Sequence, residues 1–376
     1  DKLTARYRIG VDYTSEVGLR YADPRSGLAR VRASFIGPDE VEGFQNESFF
    51  RDFRFNSNIN LGYATKFGKG ETDRDKKHSF LANIYLEYVK AHFKSFNFSQ
   101  TGLDPRTFSP GNDGGAFISD NLDNDEFVPT VGSAKASTGL FSYFGEVDYD
   151  YDERFGFTGT LRRDASSRFE EDNAWGTFWS VAGRWNLHKE KFMENATFIN
   201  SLKLRASYGT TGNDRISSTY YGALNNTRTL FGTGISYADN QTFVRTQLGN
   251  TDLRWETIKQ ANVGIEFAML DSRLRGTLEV YDKKTEDLFF SRFVSLVNGV
   301  SSQNANLGDI QNRGVELGIS YDVLRANNKD QLGVNVYANV NYNRNKVLFV
   351  DLPDGFDDFS NGITLFFIAN FGTSSD

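Results

Sequence analysis

Residues 313–343 read as one long, two-faced β-hairpin. Val315, Leu317, Ile319, Tyr321 and Val323 alternate with Gly314, Glu316, Gly318, Ser320 and Asp322. After a polar turn at 325–330, Leu332, Val334, Val336, Ala338, Val340 and Tyr342 share one face. Gly333, Asn335, Asn339, Asn341 and Asn343 share the other. Side chains alternate across a strand with period two, so each arm has an apolar wall and a polar wall. Strands of soluble domains run to about 5–6 residues. These arms are longer, and match the about 9–11 residues that a tilted strand needs to cross a bilayer.

Composition fits that reading. Only 39% of the 376 residues are hydrophobic, yet 15% are aromatic, with 34 phenylalanines and 17 tyrosines. A barrel with an apolar outer band, a polar lumen and aromatic girdles uses residues in this way. No run of 18 apolar residues occurs, which excludes a helical membrane span. The net charge of −7 argues against nucleic acid as a partner. With no cysteine, disulfides and thiolate metal sites are impossible. His78, His92 and His188 lie far apart and in no ligand spacing, so no zinc site is expected.

Alternating segments recur near 3–14, 53–67, 79–93, 139–151, 155–165, 176–187, 201–210, 255–269, 273–283, 313–324 and 331–344, with a weak twelfth near 362–371. The stretch Ile84–Val89 is apolar on both faces, which leaves its register open. Connections at 15–52, 94–138, 211–254 and 284–312 are long. Those at 68–78, 152–154, 270–272 and 325–330 are short, and 166–175 and 188–200 fall between. An up-and-down outer-membrane barrel sorts its connections in this way, with short periplasmic turns and long extracellular loops. The N-terminus has no apolar signal-peptide region and opens directly in a strand, and the C-terminus is no clear closing strand. Both ends therefore read as cut, and residues 1–376 as an internal fragment.

Few residues invite chemistry. Asp120–Glu126 is dense in oxygen ligands, but the EF-hand template puts Glu126 where glycine is needed and Gly132 where the bidentate glutamate is needed. A solvated acidic loop is the preferred reading there, and likewise at Asp351–Asp358. Arg162, Arg163, Asp164 and Arg168 could clasp an anion, although an arginine–aspartate ladder that stiffens a loop is the simpler account. Aromatic residues near strand limits, among them Tyr149, Tyr151, Phe155, Phe157, Trp179, Trp185, Tyr281, Phe289 and Phe290, read first as girdle residues. Tyr220, Phe289 and Phe290 could alternatively stack on sugar rings. Gly232-Thr-Gly234 is too short for a nucleotide loop. No nucleophile–base pair can be placed, so no catalytic, cofactor or metal residue is assigned and no enzyme is expected.

Phe155–Phe169 (FGFTGTLRRDASSRF), Leu202–Asp214 (LKLRASYGTTGND), Leu253–Ile265 (LRWETIKQANVGI), Tyr281–Leu288 (YDKKTEDL) and Asn312–Leu317 (NRGVEL) fall in matching order. Together they resemble the barrel of SusC/RagA-type TonB-dependent transporters of Bacteroidetes. The resemblance implies a 22-stranded barrel with a plugged lumen. It also implies energised import by a TonB–ExbB–ExbD motor, a SusD-like surface lipoprotein as lid, and an oligosaccharide or a peptide as cargo. Measured against that family, residues 1–376 form a partial transmembrane β-barrel domain that lacks the plug domain and the C-terminal strands.

The expected fold is thus all-β, a transmembrane antiparallel up-and-down barrel in the cell outer membrane. Its polar strand faces, with Glu316, Ser320, Asn335 and Asn339 as examples, line the lumen, and its apolar faces meet outer-membrane lipid. Loops 94–138, 211–254 and 284–312 form the vestibule that docks the lid. A passive porin or structural barrel shares every strand feature. A soluble all-β glycan-binding module would instead turn its apolar faces inward.

Overall fold

The computed structural model describes residues 2–23, 26, 43–69, 76–101, 103, 130–216, 224–235, 241–325 and 332–350. Thirteen strands appear among them. They are β1 (Leu3–Ala22), β2 (Phe44–Phe67), β3 (His78–Thr101), β4 (Thr130–Tyr151), β5 (Phe155–Ser166), β6 (Trp175–Asn186), β7 (Ile199–Asn213), β8 (Leu230–Ile235), β9 (Gln241–Gln247), β10 (Glu256–Met269), β11 (Leu274–Phe293), β12 (Ser302–Leu324) and β13 (Val334–Val350). Eleven join one sheet in the order β1-β2-β3-β4-β5-β6-β7-β10-β11-β12-β13, while β8 and β9 pair separately. Strands adjacent in this large sheet are joined by direct connections, as the up-and-down reading requires. No α-helix occurs among the described residues.

Every expected strand that falls on described residues is present, but several run further than expected. β2 and β3 reach 24 residues each. The extra lengths lie on the side of the long connections. There, sequences such as Lys283–Asp287 or Gln303–Asn312 carry polar residues on both faces, so the two-residue period that marks a strand disappears while the backbone ladder continues. The connection expected at 284–312 shrinks to 294–301 for this reason. The β8–β9 hairpin was concealed in the same way, inside what reads as the loop 211–254. The weak strand near 362–371, most of the turn at 325–330, Tyr220, and the acidic stretches Asp120–Glu126 and Asp351–Asp358 lie outside the described residues.

The chain divides into two compact units. The smaller comprises Arg8–Ser57 and Val89–Gly139. Inside it the Phe50 and Phe93 rings meet at 4.9 Å, and Ser99 donates to Asn46 Oδ1 at 2.6 Å. The larger comprises Asp1–Tyr7, Asn58–Tyr88 and Leu140–Asp376. It holds β5 to β13 and the features described below.

Register in the larger unit keeps like with like. Val315, Leu317, Ile319 and Tyr321 of β12 stand opposite Tyr342, Val340, Ala338 and Val336 of β13. Glu316, Gly318, Ser320 and Asp322 stand opposite Asn341, Asn339, Tyr337 and Asn335. Since the side-chain period is two, this pairing builds one apolar and one polar face across the sheet. Among the described residues nothing covers the apolar face: Ile84 is 63% exposed, Leu161 61% and Val263 51%. A contiguous apolar surface of this kind signals contact with another apolar phase. The ambiguity at Ile84–Val89 resolves with Ile84 and Leu86 exposed and Tyr85 stacked on Phe144, ring centroids 4.4 Å apart.

Among the described residues of this unit one buried hydrophobic cluster forms. Phe169, Phe178, Leu253 and Trp255 pack together, flanked by Leu140, Ile216 and Phe289. The Trp255 indole N–H donates to the Ala174 carbonyl at 3.0 Å. The cluster therefore ties connection 167–174 to connection 214–255, at the long-connection ends of β5, β6, β7 and β10. Phe289 belongs to this core rather than to a girdle. A register shift between Thr285 and Leu288, with Asp287 at φ 58°, turns it there.

Candidate functional site

The polar face of β4 to β13 carries an ordered array of charged and amide side chains. Arg184 pairs with Asp150 across β6 and β4. Thr158 donates to Asp148 Oδ2 at 2.8 Å. Glu266 of β10 receives Lys203 at 2.8 Å and Arg205 at 2.9 Å, both from β7, and Arg205 reaches on to Glu279 of β11 at 3.8 Å. Gln260 donates to Asn262, and Asn262 to Ser207. These groups bound a shallow concavity of about 320 Å³, between Asp148, Arg184, Arg205, Asn262 and Glu279. Glycine deepens it: the Arg184 guanidinium lies over Gly156, where an added Cβ would come within 3.1 Å.

A second concavity, of about 440 Å³, lies closer to the short turns. Glu266, Thr277, Ser320, Tyr337 and Asn339 line it. Asn335 donates to Ser320 Oγ at 2.9 Å and to Asp322 Oδ1 at 2.7 Å, and Arg275 pairs with Asp322 at 2.8 Å. The structure thus brings Ser320, Asn335 and Asn339 together and keeps Glu316 on the same face. It adds Tyr337, Lys203, Arg205, Glu266 and Glu279, which the sequence reading did not single out. Strand parity alone would have found them, because each sits an even number of residues from a polar-face neighbour.

The arginine-rich stretch at the end of β5 is satisfied internally. Arg162 donates to both carboxylate oxygens of Asp164 at 2.7 and 2.9 Å, to Glu87 at 3.1 Å and to Ser142 at 2.9 Å. Arg168, only 3% exposed, lies 3.4 Å from Asp214. Arg163 turns to the apolar face and caps the Trp175 ring at 5.0 Å. The ladder reading accounts for these contacts. Among the girdle candidates, Phe155 and Trp185 stack at 5.9 Å on the apolar face beside turn 152–154. Tyr281 does not belong with them: β11 continues to Phe293, so Tyr281 lies in mid-strand on the polar face, half-buried against Gly314.

The short-turn rim is held by ion pairs. Glu190 accepts two hydrogen bonds from Arg154, at 3.1 and 2.6 Å, and one from the Trp185 indole at 3.0 Å. The Arg154 guanidinium foremost, then the indole N–H, hold the Glu190 carboxyl below the usual carboxylate range. The hydrogen bond from Lys189 does the same for Glu153 in the neighbouring turn. No cluster of metal-ligating side chains occurs among the described residues.

Known proteins share this architecture. A family model described as "TonB dependent receptor-like, beta-barrel" matches residues 2–371. TonB-dependent receptor P39 of Formosa agariphila is 36% identical over 360 residues, covering 94% of this chain and 31% of the relative. TonB-dependent receptor SusC of Bacteroides thetaiotaomicron is 28% identical over 330 residues, 82% of this chain and 30% of that protein. The RagAB peptide importer in its 'closed-closed' state superposes with a TM-score of 0.77 at 24% identity, covering 98% of this chain and 37% of that one; this likeness is one of fold. The chain thus spans about a third of the length of the proteins it matches. With a two-faced antiparallel sheet, connections sorted by side and a family match over nearly its whole length, the chain belongs to the TonB-dependent receptor-like β-barrel family of the bacterial outer membrane.

Proposed function

We propose that residues 1–376 form part of the wall of an active importer for a nutrient, an oligosaccharide or a peptide. Other strands of the same polypeptide complete the barrel, because an open sheet edge is not viable in lipid. The polar face is the lumenal wall, and the apolar face is the lipid contact. The observation that carries this reading is the pairing of an uncovered apolar face with a hydrogen-bonded polar face in one continuous register. A plug inside the lumen, energised by a TonB–ExbB–ExbD motor, would gate passage. A SusD-like lipoprotein would close over the long connections, and the matches to SusC and to RagAB support that pairing.

The test is uptake of labelled oligosaccharides and peptides by cells with and without the gene, before and after collapse of the proton-motive force. Import requires both the gene and the energised inner membrane. Gene-dependent uptake that survives a protonophore would identify a passive porin instead.

A further inference from the structure

The apolar face of β10 to β13 ends abruptly. Residues 261–269 of β10, 315–323 of β12 and 334–342 of β13 form a band as tall as the about 9–11 residues of a membrane-crossing strand. The next outward positions are charged. Asp282, Arg313 and Arg344 form one row, each opposite the next in register. Lys259, Lys284, Gln311 and Lys346 form the row above. Both rows lie on the side away from turn 270–273 and from the Leu324–Val334 end of the β12–β13 pair. With short turns periplasmic, this is the level of the outer-leaflet headgroups.

The charges in these rows do not balance. Asp282 is taken by Arg313 at 2.8 Å. Glu286 receives Lys259 at 2.7 Å and Lys284 at 2.9 Å, and Lys284 also meets Asp309 at 3.0 Å. Arg344 and Lys346 have no acidic partner among the described residues. Arg344 stands directly opposite Arg313, and like charges opposed across a strand pair are destabilising. An anion between the two guanidiniums removes that repulsion and gains hydrogen bonds from both.

Beneath the pair lies a groove of about 470 Å³. Val263, Val280, Val315 and Tyr342 form its floor, with Arg313 and Arg344 at its charged end. Cations above an apolar trough complement a lipid: phosphate at the top, acyl chain below. We propose that Arg313 and Arg344, assisted by Lys346, bind the phosphate of an outer-leaflet lipid whose acyl chain lies in this groove. The site lies on the outside of the wall, separate from the polar face assigned to cargo.

The full-length protein that carries this chain, in phosphatidylcholine nanodiscs, is titrated with diphosphoryl lipid A and with the same lipid after phosphatase treatment. Bound lipid is counted by native mass spectrometry. The wild-type protein retains the phosphorylated lipid, and Arg344→Gln with Lys346→Gln weakens retention about tenfold to thirtyfold. Arg163→Gln, which removes an outward arginine elsewhere on the sheet, leaves retention unchanged. Equal retention by wild type and the double variant overturns the proposal, as does equal loss in Arg163→Gln. Equal binding of the dephosphorylated lipid, or displacement of the lipid by millimolar inorganic phosphate alone, overturns it too. Should the double variant not fold, Lys346→Gln alone decides: about threefold weaker retention supports the site, and none rejects it.

Discussion

The Tyr281 ring of β11 lies over Gly314, its partner in register on β12, so closely that a Cβ on residue 314 would sit 2.5 Å from Cζ. The glycine is what lets the ring lie flat across the strand pair. Gly314→Ala forces the ring off its seat and is expected to destabilise the sheet by about 1–3 kcal/mol, the usual cost of overpacking. Thermal unfolding of the full-length protein in detergent measures it. Tyr281→Ala should remove only part of the penalty in a double-mutant cycle, because the Tyr342 carbonyl also lies 2.6 Å from the added Cβ, and an additive cycle would contradict the ring contact.

Ile319 and Ser320 are neighbours on opposite faces. Ile319 stands between Gly276 and Ala338 on the apolar side, and Ser320 between Arg275 and Tyr337 on the polar side. Ile319→Arg is expected to cost about 2–4 kcal/mol, the depth-dependent cost of a cation in lipid. Ser320→Arg should cost well under half as much. Similar losses from both, in folding titrations into liposomes, would refute the facing.

Turn 270–273 holds three consecutive left-handed residues, Leu270, Asp271 and Ser272, with φ of 57°, 57° and 60°. Only the backbone of Ser272 is engaged, its N–H donating to Asn200 Oδ1 at 2.8 Å. Ser272→Gly keeps that bond and relieves the strained conformation. A gain of about 0.5–1 kcal/mol is expected, part of the strain being offset by glycine's extra freedom in the unfolded chain. An unchanged or lowered midpoint for unfolding would count against it.

Glu190 makes the short-turn rim sensitive to acid. Its folded-state pKa lies below the unfolded value of about 4.3, so the stabilisation it brings is complete above that value. It is lost as pH falls through the lower, folded pKa. The rim at 187–198 should therefore be unchanged from pH 8 to pH 5 and should loosen below about pH 4. The Trp185 indole N–H resonance reports this directly, since Glu190 is its acceptor. Glu190→Gln should abolish the acid transition at that resonance, and a transition that persists would assign it elsewhere.

The membrane-crossing part of the fold was legible because lipid imposes alternation. Every residue of 315–323 and 334–342 must choose lipid or lumen, and the sequence records the choice. Beyond Arg313 and Arg344 water lies on both sides of the sheet, the choice vanishes, and β11 to β13 run on unmarked to Phe293, Ser302 and Val350. The polar wall was half legible. Asn335 and Asn339 stood out as amides in a clean hairpin, whereas Arg205, Glu266 and Glu279 form a group only once β7, β10 and β11 are placed side by side. The core of Phe169, Phe178, Leu253 and Trp255 was not legible at all, for its members come from two connections and one strand with no common period.

The β11–β12 ladder continues from the charged row at Asp282 and Arg313 to Phe293 and Ser302. At about 3.3 Å per residue and a barrel tilt of about 45°, that lifts turn 294–301 roughly 25 Å above the headgroups. On this turn Leu296 is 75% exposed and Val297 94%. An antibody aimed at this tip would meet exposed apolar side chains held up by paired backbone. Of the described parts of the wall, this tip is the one whose accessibility on living cells would report whether the proposed lid stands open or closed.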